Sequence, residues 1–356
     1  MKKKVLLGMS GGVDSSVSAC LLLDQGYEVL GVTLKLLPDG IDSDCGSNKG
    51  IEDAKNVADQ LKIKHLTIEF KDIFKKKVID YFLQEYLTGK TPNPCVECNK
   101  HLKFGAMFDF AMSKNFDYIS TGHYAKIEYS EKLNRWLLKK ASSSKDQSYV
   151  LYTLGQNQLA HILFPLSNFE KSYTRKLAEN FGLKTAQKPD SQDICFISDG
   201  DHHNFIERYS GITEEKGNFL NQEGNVLGEH KGISKYTIGQ RKGLGITSLG
   251  YPAYVTKIDH LNNTITLGGE GSQYFKSLIA DKLNFILFDS LDKEIEVLAK
   301  IRYQSPLQKA KIFPIDKDKI RVVFEEKQRS ITPGQSIVFY NEDIVLGGGV
   351  ILNSEI

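Results

Sequence analysis

Between an apolar run at Lys3–Leu7 and a helical stretch at Val13–Gln25 stands Gly8-Met9-Ser10-Gly11-Gly12-Val13-Asp14-Ser15-Ser16. A turn that joins a strand to a helix gathers backbone N–H groups and the positive end of the helix on one anion-sized space, and phosphate is the natural guest. Glycines let the backbone approach it, Ser10 and Ser15 offer hydroxyl donors, and Asp14 can orient Mg²⁺ or cap the helix. The Walker pattern requires a lysine that this turn lacks. The dinucleotide fingerprint fails as well, because Ser10 stands at its second glycine and no acidic residue follows near Leu34–Leu36.

A second set of reactive groups is the five cysteines. Cys20 lies among Ala19, Leu21 and Leu22 and reads as core packing. Cys45 sits in an acidic loop beside Asp42 and Asp44. Cys95 and Cys98 form a Cys-x-x-Cys behind two prolines, and a helix is expected from His101 to Met112. Cys98 would then stand near a helix N-terminus with Lys100 and Lys103 close by, a setting that favours the thiolate. A zinc site wants four ligands, and no second Cys-x-x-Cys completes one. Cys195, in Asp190-Ser191-Gln192-Asp193-Ile194-Cys195-Phe196, follows the helix-breaking Lys188-Pro189 and reads from composition alone as a buried strand thiol or a reactive one.

The elements that would position these groups alternate. After the first strand and helix come a strand at Glu28–Leu36, a helix near Ile51–Leu61 and a strand at His65–Phe70. A long helix over Lys71–Thr88 and a strand at Tyr118–Thr121 follow. Such alternation implies an open, mostly parallel α/β sheet with its ligand site at the carboxyl ends of the strands. After about residue 205 helical periodicity fades. Tyr254–Ile258 and Thr264–Leu267 read as a hairpin, and β-type runs at Asn284–Phe288, Glu294–Arg302, Ala310–Phe313, Ile320–Phe324 and Ile337–Tyr340 suggest a small barrel. The expected organisation is an α/β domain over 1–204, a small β-rich central domain over 205–275 and a C-terminal β-barrel over 276–356. With 46 Lys+Arg against 44 Asp+Glu, the net charge of +2 excludes a uniformly cationic nucleic-acid binder, so any such site is a local patch. No signal-peptide core or membrane span is legible, and the sparse cysteines fit reduced thiols, so a cytoplasmic enzyme is expected.

Ser10-Gly11-Gly12-Val13-Asp14-Ser15 resembles the PP-loop of the ATP pyrophosphatase superfamily, the adenine nucleotide alpha hydrolase type. Further segments extend the likeness: Asn93-Pro94-x-x-x-Cys98-Asn99-Lys100, Thr121-Gly122-His123-Tyr124-Ala125, Lys145-Asp146-Gln147-Ser148-Tyr149, Asp190 to Phe196, and Tyr236-Thr237-Ile238-Gly239-Gln240-Arg241-Lys242-Gly243-Leu244-Gly245. Together they resemble the tRNA-specific 2-thiouridylase family from residue 8 to about 335. The resemblance implies a tRNA-uridine 2-sulfurtransferase that uses ATP to replace the C2 oxygen of the wobble uridine, position 34, by sulfur in tRNAs for lysine, glutamate and glutamine. It implies that ATP, with Mg²⁺, adenylates the uridine O2, that Cys195 carries a persulfide, and that Cys98 is the nucleophile and the partner in a transient Cys98–Cys195 disulfide. Gly8, Met9, Ser10, Gly11, Gly12, Val13, Asp14, Ser15, Leu34 and Gly122 match ATP contacts. Asn93, Pro94 and Cys95 match the segment that meets the target base. His123, Lys145, Asp146, Gln147, Arg302, Tyr303 and Gln335 match tRNA contacts, on the anticodon stem-loop. The implied partners are tRNA and a sulfur-relay protein or cysteine desulfurase.

Two departures open alternatives. Leu34 stands where many members have methionine, which a backbone contact would survive. Cys95 stands where many carry aspartate, so Cys95, Cys98 and Cys195 can be read as ligands of an iron-sulfur cluster with an open iron position for sulfide. A PP-loop amide ligase acting on a small carboxylic acid shares the loop but needs no cysteine. A nucleotide-sensing module with a redox-responsive Cys-x-x-Cys has no need of the β-rich residues 205–356.

Overall fold

The computed structural model describes residues 2–38, 47–189, 194–197, 199–246, 250 and 252–355. Cys45 with its acidic neighbours, and Asp190 to Asp193, lie outside them. The described chain divides into two compact bodies that are not continuous in sequence: 1–79, 94–200 and 343–345 form the first, and 80–93, 201–342 and 346–356 the second.

The first body is built on β1 (Lys4–Gly8), α1 (Val13–Asp24), β2 (Glu28–Lys35), α2 (Asn48–Gln60) and β3 (Lys64–Glu69). A helical run opens with α3 (Lys71–Phe74), widens into a π turn at Lys75–Ile79 and continues as α4 (Asp80–Leu87), the division between the bodies falling after Ile79. Then come α5 (Pro94–Cys98), a second π segment at Asn99–Ala106, α6 (Met107–Ser113), β4 (Tyr118–Ser120) and the hairpin β5 (Ala125–Ser130) and β6 (Arg135–Lys140). The short α7 (Gln156–Leu159), β7 (Ile162–Leu163) and α8 (Lys171–Asn180) complete the body. Strand order is β3-β2-β1-β4-β7, and the pairings are parallel. The central strand has Val5, Leu6 and Leu7 fully buried because helices cover both faces, so its apolar residues run continuously rather than alternately. Val17, Ala19, Cys20 and Leu22 of α1 pack with Val5 and Leu7 of β1 and with Ala54, Val57 and Ala58 of α2. Burial pushes the Cys20 thiol up to about 11, which leaves it inert core, as its neighbours in the sequence indicate.

The second body begins with α4 and α9 (His202–Ser210), a helix that lies where helical periodicity had been expected to fade. Asp201 caps it, accepting from the N–H groups of His203 and Asn204, and Phe205 packs edge-on against Phe82. A four-stranded sheet follows, with order β10-β11-β8-β9 for β8 (Gly217–Leu220), β9 (Val226–His230), β10 (Tyr254–Asp259) and β11 (Thr264–Gly268). The expected 254–267 hairpin is present as an antiparallel pair. The last six strands are β12 (Tyr274–Phe285), β13 (Ile295–Lys300), β14 (Gln308–Pro314), β15 (Ile320–Arg329), β16 (Ser336–Asn341) and β17 (Ile344–Glu355). Their order β12-β15-β14-β13-β16-β17 closes through the β12–β17 pairing into a six-stranded barrel, cored by Leu278, Ile312, Val322, Phe324, Ile337 and Phe339.

Five histidines, His65, His101, His123, His203 and His230, are held below the usual imidazole range, each chiefly because burial penalises the charged ring. The unfolded chain therefore takes up protons that the folded chain refuses, so the stability these rings contribute is full above about pH 6.5 and drains away as pH falls. The urea midpoint should be lower at pH 5.5 than at pH 7.5, and His123→Gln should narrow that gap. A midpoint independent of pH over this range would contradict the burial assigned to these rings.

Candidate active site

β1 has β2 on one side and β4 on the other, so chain connectivity reverses at β1 and opens a crevice at the carboxyl ends of β1 and β4. The Gly8–Ser16 turn occupies the end of β1, and Thr121 and Gly122 extend β4 beside it. The turn is held from below. Met9 N donates to Val32 O at 2.8 Å, and Thr33 Oγ1 donates to Met9 O at 2.7 Å. Since the Thr33 hydroxyl has one proton, His65 Nε2, 2.9 Å away, donates to it, which fixes a neutral tautomer for that ring. Ser15 Oγ and Ser16 Oγ donate to Gly12 O at 3.1 and 2.9 Å.

Backbone closes on this helix start from two sides. Gly11 has φ +71°, and a Cβ there would lie 2.6 Å from Gly50 O and 2.8 Å from Asp53 Cβ. A Cβ on Gly122 would lie 2.8 Å from Ser15 N and 2.9 Å from the Asp14 carbonyl carbon. Gly12 is the N-cap of α1 and makes no side-chain cap, so the first N–H groups of a 12-residue helix keep their donors for a ligand. This cradle fits the phosphates of ATP. Leu34, the penultimate residue of β2, lies at the same carboxyl edge, paired with Ile68.

Asp14 departs from expectation. It lies inside α1 and does not cap it; its Oδ1 accepts from the Tyr124 hydroxyl at 2.8 Å and from Lys171 Nζ at 2.8 Å, and its Oδ2 accepts from Lys171 Nζ at 2.7 Å. Lys171, at the start of α8, is the first of two cations that the sequence reading missed. The second is Lys188, whose ammonium donates to Gly11 O at 3.1 Å and to Asp53 Oδ2 at 2.7 Å. Arg175 of α8 steadies that segment by donating to Ala186 O at 2.7 Å and Lys188 O at 2.9 Å. Two lysines from elsewhere in the chain thus stand at a loop that has none of its own. Lys188 was legible only as part of a helix-breaking Lys-Pro pair, and Lys171 carried no signal.

The thiols are arranged around the helical run that starts at Lys71. The helix bearing Cys95 and Cys98 begins at Pro94 rather than at His101, because proline at the first helical position loses no intrahelical hydrogen bond and brings a suitable φ. Cys98 is consequently one turn in and 8% exposed, and exposed Cys95 takes the place nearer the N-terminus. α5 packs on the Lys75–Ile79 π turn. Cys195 is half-buried in a turn closed by Ile197 N donating to Ile194 O at 2.9 Å, and its neighbour Phe196 packs edge-on against Phe74, one residue before that same π turn. Neither Cys98 nor Cys195 is part of a disulfide here. Among the described residues no three His, Cys, Asp or Glu side chains converge on a metal-sized point, so Cys95, Cys98 and Cys195 are not preassembled there as cluster ligands.

The residues matched to tRNA contacts separate into two kinds. Lys145 is exposed and Tyr303 is 37% exposed. Others are engaged inside the protein. Asp146 accepts from Ala141 N, Ser148 N and Ser148 Oγ, and Gln147 Oε1 accepts from Tyr124 N at 3.0 Å. His123 is 8% exposed, packed against Phe104 and Phe164 with Nδ1 2.7 Å from Thr121 Oγ1, and neutral through burial and the charge of Lys103. In the second body, Arg302 Nη2 donates to Ser330 O at 2.7 Å and Thr332 Oγ1 at 2.5 Å. Gln335 Nε2 donates to Thr91 O at 2.8 Å, which pins the chain two residues before Asn93.

Comparison with known families matches residues 3–199 to the tRNA methyl transferase HUP domain, 203–269 to the tRNA methyl transferase PRC-barrel domain and 275–351 to the aminomethyltransferase beta-barrel domain. The chain is 51% identical to the tRNA-specific 2-thiouridylase MnmA of Acetivibrio thermocellus, over 98% of this chain and 99% of the relative. It is 52% identical to the namesake from Caldicellulosiruptor saccharolyticus, over 99% of each. To that of Clostridioides difficile it is 50% identical, again over 99% of each.

If Lys188 supplies the missing loop cation, Lys188→Met should lower kcat/KM for ATP roughly 10- to 100-fold, the equivalent of one charge-assisted hydrogen bond of about 1.5–3 kcal/mol. Lys184→Met, on the adjacent exposed surface, should change it less than about twofold. AMP release measured with both variants checks this, and equal rates for the two would remove Lys188 from the site.

Proposed function

The chain belongs to the tRNA-specific 2-thiouridylase family, and from that premise we propose that it thiolates C2 of the wobble uridine of tRNA for lysine, glutamate and glutamine at the expense of ATP. The observation that carries the proposal is the pairing of a glycine-walled phosphate cradle with two thiols, Cys98 and Cys195, stationed against one helical run in the same body. The domain descriptions speak of methyl transfer, but methylation needs neither the cradle nor the thiols. An amide ligase would use the cradle alone.

The chemistry divides in two. Uridine O2 attacks the α-phosphorus of ATP, the bond to the β-phosphate oxygen breaks, and pyrophosphate leaves. The α1 N-terminus and Lys188 would hold the negative charge of the phosphates. Asp14 is already taken by Lys171 and Tyr124, so Mg²⁺ would travel on the phosphates rather than on a carboxylate of this loop. Oxide is a poor leaving group from the pyrimidine and AMP a good one, which is what adenylation achieves. In the second half the terminal sulfur of a Cys195 persulfide attacks C2, and AMP leaves with the former O2. Cys98 thiolate then attacks the Cys195 sulfur, which releases 2-thiouridine and forms a Cys98–Cys195 disulfide that an external dithiol must reduce. The persulfide sulfur would come from a sulfur-relay protein or cysteine desulfurase. The partial exposure of Cys195 supports such a delivery, since a donor's thiol must reach it. Among the described residues no helix is long and apolar enough to cross a membrane.

The cluster alternative remains a distinct reading, and Cys95 separates it from the relay. Cys98→Ser and Cys195→Ser should each abolish thiolation, because serine carries no persulfide and supplies no thiolate at neutral pH. Cys20→Ser should leave it measurable. Cys95→Ala should retain activity under the relay and lose it under a cluster that needs three thiolates. Thiolated tRNA measured with each variant, together with the iron content of protein purified without oxygen, decides the matter. An active Cys98→Ser enzyme would overturn the two-cysteine assignment.

A further inference from the structure

The sulfur-transfer sequence above ends with the enzyme oxidised, and it gives Cys95 no task. The short helix α5 sorts its residues by depth: Pro94, Val96 and Cys98 are buried, while Cys95 is exposed. Cys98 is also held in that inner position. Its neighbour Asn99 is buried, and Asn99 Nδ2 donates to Val150 O at 3.1 Å, which ties the end of α5 to the segment behind it. A disulfide between Cys98 and Cys195 would therefore have one sulfur closed off inside the body and the other in a half-buried turn.

Reopening such a disulfide needs a thiolate that reaches one of its two sulfurs, and the sulfur attacked decides which cysteine is released. A thiol from outside meets the half-buried Cys195 more readily than Cys98. That attack leaves Cys195 in a mixed disulfide, although Cys195 is the residue that must be free for the next persulfide. Attack on Cys98 releases Cys195 at once, and the helix itself supplies the attacking group. Cys98 has helical backbone, φ −62° and ψ −45°, so the Cα atoms of Cys95 and Cys98, three residues apart, are about 5 Å from each other. That lies within the range of about 4.4–6.8 Å that a disulfide spans.

We propose that Cys95 is the resolving thiol of the catalytic cycle. Its thiolate attacks the Cys98 sulfur, the Cys98–Cys195 bond breaks, a Cys95–Cys98 bond forms, and Cys195 leaves as a thiolate. No electrons are gained or lost in this exchange. It carries the oxidised pair from a closed position to the surface, where a dithiol reductant attacks the exposed Cys95 sulfur, gives two electrons and two protons to the pair, and departs as its own disulfide. The proposal rests on the two-cysteine relay for the disulfide it resolves. Cys95 also lies in the segment matched to the target base, so the exchange follows departure of the thiolated tRNA.

The test maps the cysteines of the full chain after one turnover. The enzyme is charged with glutathione persulfide, freed of small thiols, mixed with ATP, Mg²⁺ and a tRNA transcript, then quenched in acid and alkylated for peptide mass spectrometry. One Cys95–Cys98 disulfide should appear per 2-thiouridine, with Cys195 alkylated, and Cys20→Ser should give the same map. In Cys95→Ala the disulfide should be Cys98–Cys195 instead. With a protein dithiol at micromolar concentration, later turnovers of that variant should be at least about tenfold slower than its first, because it has lost a thiol acting at an effective concentration of about millimolar. Wild-type protein should show no such gap. Wild-type protein that forms 2-thiouridine yet keeps Cys98–Cys195, with Cys95 alkylated, overturns the proposal and leaves thiolation standing. Product without any disulfide overturns the proposal together with the relay, and absence of 2-thiouridine fails the thiolation reading itself.

Discussion

Everything in the first body depends on how closely backbone can approach the start of α1. Gly122 comes so near that a single added carbon would strike the amide of Ser15, and Gly11 is as tightly enclosed by α2. The N-cap itself is Gly12, which has no side chain to cap the helix, so its first N–H groups are kept for a phosphate chain. The parallel sheet makes the approach geometrically available, since β1 and β4 end side by side at the switch point. The ion pairs then act at the margins of that opening: Lys171 ties α8 to Asp14, and Lys188 ties the segment beyond α8 to Gly11 and Asp53.

The legible part of this site is the part that is local in sequence. Nine consecutive residues specify the turn, and alternation of strands and helices specifies the sheet that carries it. The two lysines were invisible because their partners lie 157, 177 and 135 residues away in the chain, and no short-range pattern encodes such a meeting. The start of the cysteine helix was misplaced for the opposite reason. Two prolines read as breakers, although Pro94 occupies the one helical position where a missing N–H costs nothing. In the barrel, the expected run Asn284–Phe288 met only the last two residues of the 12-residue strand Tyr274–Phe285 and otherwise fell beyond its end. The last strand, Ile344–Glu355, was hidden by Gly347-Gly348-Gly349. Those glycines serve contact: a Cβ on Gly347 would lie 2.3 Å from Asn284 O on the paired strand.

The residues matched to tRNA contacts show why motif and role are different things. Asp146, Gln147 and Gln335 have their side-chain polar atoms bonded to neighbouring backbone or hydroxyl groups, so they shape the loops. Lys145 is an exposed cation able to meet phosphate. A net charge of only +2 is consistent with this arrangement, because counterion release depends on the few cations that touch the backbone and not on the sum over the chain.

The central claim is that the uridine oxygen, activated at the α1 cradle, departs on AMP. Transcript tRNA carrying ¹⁸O at uridine C2, turned over once with ATP and a persulfide donor, tests it directly by mass spectrometry of the released AMP. The account predicts one ¹⁸O in the phosphate of each AMP formed per 2-thiouridine. Unlabelled AMP alongside thiolated tRNA, with the label released to water, would contradict it.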